Sequence, residues 1–308
     1  MVTGASGFIG RWSVPALLAL GFDVHAVVSG SHDARLPEEL RGATVHRCDL
    51  LSSEAIDATT ERIQPTHLLH FAWIAQPGVY WHSPDNFRWL EASEHLLRRF
   101  QEVGGRRVVM AGSCAEYDWS SPGAFDEQGP LADEAAAATP AYTACKLRLH
   151  RSLRAFAARH QLSSAWGRIF FQYGPYEHAQ RLVPSVICSL LRGDEALCTH
   201  GRQVRGFLHV ADVGAAFAAI VASRVEGAVN VGSDERITLA DVIERIAAQI
   251  GRPDLVRLGA RAAPAEPQLL IAVTRRLREE TAWRPRFALD EGLADTIRWW
   301  RSQLAATA

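Results

Sequence analysis

The chain has 308 residues, 48% of them hydrophobic, with 33 Lys and Arg against 34 Asp and Glu and a formal net charge of -1. That balance offers no basic stripe for nucleic acid and no like-charge tail, and no apolar run approaches the roughly 20 residues of a membrane-spanning helix. Five cysteines, Cys48, Cys114, Cys145, Cys188 and Cys198, include no Cys-x-x-Cys pair, which suits reduced thiols in a cytoplasm better than disulfides or zinc.

The first element is a glycine turn, Thr3-Gly4-Ala5-Ser6-Gly7-Phe8-Ile9-Gly10. No secretory signal is visible ahead of it. Met1-Val2 predicts either a very short first strand or a start that lies upstream. The G-x-x-G-x-x-G spacing lets backbone approach a pyrophosphate and aims a helix N-terminus at its charge. Apolar runs at 24–28, 44–47, 67–72 and 107–111 predict buried strands, and the patterns at 12–19 and 87–103 predict helices between them. Strand-helix alternation implies an α/β fold with a doubly wound parallel sheet. The second strand runs out at Val28-Ser29-Gly30 without a carboxylate, and Asp33 comes several residues late. An acid at that place would hold a ribose 2′-hydroxyl. Its absence predicts NADP over NAD, with Ser29 tolerating a 2′-phosphate. Arg11 and Arg35 are either its counter-charges or solvated surface charges.

Loop 73–86 carries Trp73, Tyr80 and Trp81, which either line a sugar or base pocket or pack the loop. His70, His82 and His178 lack metal-ligand spacing, so no metal site is expected. Ser113 follows the apolar run Val108-Val109-Met110. Thr139-Pro140 predicts a helix start, with threonine as cap and proline in the first turn. Tyr142 and Lys146 then share one helical face. A phenol titrates near pH ~10, and an ammonium beside it favours the phenolate. Further on, 182–192 and 239–250 predict amphipathic helices, and Arg252-Pro253 and 264–267 predict loops.

A glycine turn, a serine after a strand and a Tyr-x-x-x-Lys helix, in this order, resemble the short-chain dehydrogenase/reductase superfamily. The TGxxGFxG turn and the chain length resemble its extended branch, the NAD(P)-dependent sugar epimerases, dehydratases and reductases. The resemblance implies a Rossmann-type domain over 1–167, with a return of about 207–232, and a smaller C-terminal α/β substrate lobe over 168–308. It implies cofactor contacts at Gly4, Ser6, Gly7, Phe8, Ile9, Gly10, Ser29, Arg35, Asp49, Leu50, Phe71, Ala72, Tyr142, Lys146 and Phe170. Asp49 would bind the adenine amino group, its structural alternative being a helix N-cap. Ser113, Tyr142 and Lys146 would be the catalytic set, with Tyr142 as acid/base and Lys146 on the nicotinamide ribose. Substrate contacts would come from Trp73, Cys114, Phe171, Arg181, Leu182 and Arg205.

Residues 168–175 resemble the family's R-x-F-N-x-Y-G-P run, with Phe171 in place of asparagine. Residues 203–213 resemble Q-x-R-D-F-x-H-V-x-D-V, with Gly206 in place of the acid and Arg205 facing a diphosphate. Dehydratases carry an Asp-Glu pair where this chain has Cys114 and Ala115. Epimerases acting at two carbons carry a cysteine where Ala115 stands. Cys114, one residue off, is expected to point to the other face and pack. What remains is redox at one carbon. The resemblance implies an NAD(P)-dependent oxidoreductase acting on the 4-position of a nucleotide-linked deoxysugar, close to dTDP-6-deoxyhexose dehydrogenases. Its rivals are a 4-epimerase with tightly held NAD and a non-catalytic cofactor-sensing or scaffold protein. Helices over 87–103 and 142–158 imply the family's homodimer bundle.

Overall fold

The computed structural model describes residues 1–29, 36–120, 123–263 and 266–307. Its strands are β1 (Val2–Thr3), β2 (His25–Val28), β3 (Thr44–Arg47), β4 (His67–His70), β5 (Arg107–Ser113), β6 (Gly123–Phe125), β7 (Ser163–Ile169) and β8 (Phe171–Tyr173). They continue as β9 (Ala196–Leu197), β10 (Val204–Arg205), β11 (Phe207–His209), β12 (Gly227–Val231), β13 (Ile237–Thr238), β14 (Val256–Arg257) and β15 (Leu269–Ala272). The helices are α1 (Gly10–Ala19), α2 (Ser53–Ile63), α3 (Asp85–Glu102), α4 (Ala141–His160), α5 (Leu182–Arg192), α6 (Val210–Ala222), α7 (Leu239–Ile250), α8 (Arg275–Glu280) and α9 (Leu289–Thr307).

Among the described residues the largest sheet has seven strands in the order β12-β7-β5-β4-β1-β2-β3, and every pairing in it is parallel. Parallel strands are buried on both faces, and β5 shows how. Its Val109 and Ala111 join the core that holds Val14 and Leu17 of α1 and Phe217 and Ile220 of α6. Its Val108 and Met110 alternate onto the core that holds Leu97 and Phe100 of α3 and Leu149 and Leu153 of α4. Helices on both faces make the sheet doubly wound, as expected. The order reverses at β1, so the crevice beyond the C-terminal ends of β1 and β4 is where such sheets take ligands.

A second, mixed sheet runs β13-β10-β15-β6. Helices α5, α7 and α9 close over their own core, built around Ile187, Leu190, Val242, Ile246, Leu293 and Ile297. Strand β12 pairs with β7 in the large sheet, while β6, from the first half of the chain, pairs with β15 in the mixed one. Among the described residues no helix is long and apolar enough to cross a membrane.

Boundaries differ from expectation where tertiary contact decides them. The run at 67–72 stops being strand after His70, because Phe71 and Ala72 pack against the glycine turn. The run at 107–111 continues to Ser113, paired with β7 along its whole length. Thr139 does not cap α4. Its hydroxyl donates to the Asp133 carbonyl, Pro140 is itself the N-cap, without a side-chain cap, and the Tyr142 N–H donates to the Trp81 carbonyl at 3.1 Å. A loop carbonyl thus does the work that a capping hydroxyl does elsewhere. The cap of α2 is Ser52, whose hydroxyl accepts from Ala55, so Asp49 is not that helix's cap.

Candidate active site

The turn between β1 and α1 leaves no room for side chains at two glycines. Gly4 has φ +65°, and a Cβ there would lie 2.9 Å from the Ala72 backbone nitrogen. A Cβ on Gly10 would meet the Gly4 carbonyl oxygen at 2.2 Å. The turn therefore folds tightly into α1, whose N-terminus has no side-chain cap. An uncapped helix N-terminus at the switch point, reached through glycines, fits the pyrophosphate of a dinucleotide. Ser6, Phe8 and Ile9 belong to this turn, and Phe71 and Ala72 lie against it, with the Phe71 N–H on the Thr3 carbonyl. Arg11 is not a solvated charge. Its guanidinium donates to the carbonyls of Ser6 at 2.7 Å and Gly7 at 3.2 Å and lies 3.7 Å over the Tyr176 ring. Ser29 follows β2, and Leu50 follows β3. Asp49 accepts from the Leu51 N–H. Arg35 lies outside the described residues.

Ser113 closes β5 and opens the short helical turn Cys114–Glu116. Its hydroxyl accepts from the Ala115 N–H at 3.2 Å, and its own N–H donates to Glu116 Oε1 at 2.8 Å. This capping box fixes the serine from both sides. Glu116 is fully buried. Its carboxylate also takes Trp166 Nε1 at 2.9 and 3.0 Å and Arg168 Nε at 2.9 Å. Arg168 reaches the Tyr117 hydroxyl, which donates to Asn230. The S-x-x-E spacing was present in the sequence, and it is the signal from which Glu116 could have been found.

Tyr142, in the first turn of α4, lies beside the Ser113 hydroxyl. Burial raises its phenol well above the ordinary range, while the hydrogen bond with Ser113 opposes and Tyr80, Glu116 and Cys114 add to the rise. The expected lowering by Lys146 is not what the structure shows. Lys146 Nζ is 5.9 Å from the Tyr142 ring centre. It donates to the Ala111 carbonyl at 2.9 Å and stands 3.9 Å over the Trp73 ring. Burial lowers this ammonium to about 7, against a rise from Glu116 and Cys145. Trp73, expected on the substrate, is held by that contact and by its indole N–H on Asn86 at 2.8 Å.

Aromatic rings collar the phenol. Tyr80 stacks on Trp81 and meets the Tyr142 ring edge-on at 4.8 Å. Trp81 lies 5.7 Å from Tyr142 and 6.2 Å from Trp119. Loop 73–86 thus packs through its rings, and that packing surrounds the Tyr142 phenol. Trp119 was not foreseen. Cys114 is buried, and burial pushes its thiol up to about 12 while Arg205 and Arg181 pull it down. It packs in a core with Tyr117, Phe125, Phe170 and Leu270, as expected. Strand alternation does not govern it, because the backbone has already turned helical.

Next to the collar opens a cleft of about 490 Å³ whose walls include Phe171, Arg181, Leu182 and Arg205, and with them Glu177 and Gln203. The Arg205 guanidinium is buried, donates to Glu266 at 3.1 Å and to the Val204 carbonyl at 2.9 Å, and lies 5.0 Å from the Phe171 ring centre. Phe170 turns inward onto Tyr117. The arrangement can move a proton at Tyr142, hold an oxygen at Ser113 and bind an anion along the arginine wall.

The NAD dependent epimerase/dehydratase family matches this chain over residues 1–232. A dTDP-glucose 4,6-dehydratase of Streptomyces niveus is 27% identical over 99% of this chain and 93% of its own. A dTDP-4-dehydro-6-deoxy-D-allose reductase of Streptomyces bikiniensis is 27% identical over 98% and 95%. The solved structure of MoeE5 in complex with UDP-glucuronic acid and NAD superimposes with a TM-score of 0.80, at 28% identity and 98% coverage of both chains. The chain belongs to the NAD dependent epimerase/dehydratase family and is an NAD-dependent enzyme of that family.

Proposed function

From that membership we propose that the enzyme is a reductase, acting on the 4-keto group of a nucleotide-linked 6-deoxysugar. The observation that carries this reading is Glu116. Elimination of water needs an acid and a base free to move protons beside the sugar. The positions after Ser113 are Cys114 and Ala115, and the one carboxylate in that turn is fully buried under Trp166 and Arg168. Dehydration therefore lacks its groups, and redox at one carbon does not need them.

A nicotinamide bound in the crevice would supply or accept the hydride. Tyr142, kept protonated by burial, is in the form that donates a proton to an oxygen gaining charge. Ser113 would hold that same oxygen, and Lys146 would hold the nicotinamide ribose. The relative that reduces a 4-dehydro-6-deoxysugar nucleotide supports the substrate class. We further expect NADPH to bind more tightly than NADH, since β2 ends at Val28 and the residue that follows is Ser29, not a carboxylate. A homodimer through α3 and α4 belongs to the same reading.

The test supplies a nucleotide-linked 4-keto-6-deoxyhexose with NADPH or NADH. The expected result is one alcohol formed per reduced cofactor consumed. A 4-epimer made from an intact sugar nucleotide without added cofactor would establish an epimerase instead. Loss of water from a 6-hydroxy sugar would establish a dehydratase.

A further inference from the structure

The cleft beside the collar contains two buried polar atoms for which the described residues offer no hydrogen-bond partner. Glu177 is 7% exposed and Gln203 3%, and both line the cleft with Arg181 and Arg205. Glu177 Oε1 approaches Arg181 Nε at 3.7 Å, while Glu177 Oε2 has no hydrogen-bond partner. Gln203 Oε1 has none either. Leaving a buried polar atom unpaired costs on the order of 1–3 kcal/mol, and native interiors rarely contain two in one pocket. The backbone is bent to place the first of them. Gly174 has φ +149°, and Tyr176, the residue before Glu177, has φ +70°, a left-handed conformation that is uncommon for a non-glycine residue. Burial raises the Glu177 carboxyl to about 8, with Arg181 and the Gly174 N–H opposing.

Resting on the proposed nucleotide-linked substrate, we propose that Glu177 and Gln203 are specificity-determining residues. Their free oxygens take hydrogen bonds from N–H or O–H donors on the nucleoside half of the substrate, beside the arginines that take its phosphates. The division of labour follows from chemistry. Guanidinium groups suit phosphate oxygens, which accept and do not donate. The Gln203 amide oxygen only accepts and so is satisfied by a donor, as is Glu177 once its carboxyl is ionised, and a nucleoside carries donors on its base edge and its ribose. A site built around such acceptors discriminates against ligands that cannot fill them, because the buried atoms are then left unpaired.

The experiment titrates the full-length protein with UDP and, as a probe that has phosphates but no nucleoside, with inorganic pyrophosphate. The variants are Gln203→Met and Glu177→Met, with Glu177→Gln as a milder form should the methionine fail to fold. UDP affinity is expected to fall about tenfold in each methionine variant, as for one lost buried hydrogen bond. Pyrophosphate affinity is expected to stay constant. Repeating the series with dUDP locates the donor. A penalty that vanishes without the 2′-hydroxyl assigns the ribose, and one that persists assigns the base or another ribose hydroxyl. Unchanged UDP affinity in folded variants overturns the proposal. So does an equal loss for pyrophosphate, which would show that Glu177 acts only by positioning Arg181. Wild-type protein that binds pyrophosphate but no nucleoside diphosphate removes the proposed function itself, and this inference with it.

Discussion

The backbone N–H of Ser113 donates to the buried carboxylate of Glu116 at 2.8 Å, so the serine of the candidate site is held by a charge that never meets solvent. The same carboxylate carries the Arg168 guanidinium, itself almost wholly buried. Two ions taken out of water tolerate each other only while both are present. Glu116→Gln keeps the shape and an acceptor for Ser113 but strands Arg168. We expect a loss of about 3 kcal/mol or more in unfolding free energy, measured by chemical denaturation. A loss below about 1 kcal/mol, the scale of an exposed ion pair, would mean that the network contributes little.

Tyr142→Phe should abolish turnover and leave cofactor binding nearly intact. The ring, which packs against Tyr80 and Trp81, is retained, and only the proton donor is removed. Loss of a general acid costs on the order of a hundred- to ten-thousandfold. Steady-state rates and cofactor titration by fluorescence check the two halves separately. A variant that kept most of the wild-type rate would show that the proton comes from elsewhere.

The sequence revealed what depends on local spacing. Gly4 and Gly10 mark a turn that only glycine fits, and Tyr142 and Lys146 are four apart on one helix. The apolar runs gave the parallel strands to within a few residues. What escaped depends on partners distant in the chain. Thr139 carries a capping signal, yet Trp81 meets the helix end first. Lys146 has the spacing to pair with Tyr142, yet Trp73 and the Ala111 carbonyl hold its ammonium. Cys114 does pack as expected, but the chain turns helical after Ser113, so strand alternation is not the cause. The S-x-x-E capping box was a local signal, but the sequence could not show that its glutamate would be buried under Trp166 and Arg168.

Burial of Lys146 gives stability a pH dependence of definite sign. Its folded pKa, about 7, lies below the unfolded value near ~10.4. Between those values the unfolded chain binds the extra proton, so stability rises with pH across this window. In Lys146→Met that contribution is absent. From pH 7 to pH 9 the wild type should gain about 2 kcal/mol relative to the variant, read as the difference between two denaturation series. The variant should also be the more stable of the two at neutral pH, though inactive. Parallel curves would mean that the lysine finds solvent in the folded protein.

Arg205→Ala should raise KM for the nucleotide-linked substrate far more than it lowers kcat. The arginine lines the cleft, 5.0 Å from the Phe171 ring centre, on the wall proposed for the diphosphate. A contact made equally in ground and transition states appears in KM. Some of that remote binding orients the sugar, so a small fall in kcat is expected as well. The guanidinium also ties β10 to Gln268 and Glu266, and alanine removes this brace together with the charge. Arg205→Lys separates the two roles. It keeps a cation for the phosphates but loses the planar fork that spans several partners. On the proposed reading its KM falls between wild type and alanine. Kinetics with saturating cofactor and varied sugar nucleotide decide the matter. If KM is unchanged in the alanine variant while thermal stability drops, Arg205 only braces the mixed sheet, and the diphosphate is held by Arg181 or not in this cleft.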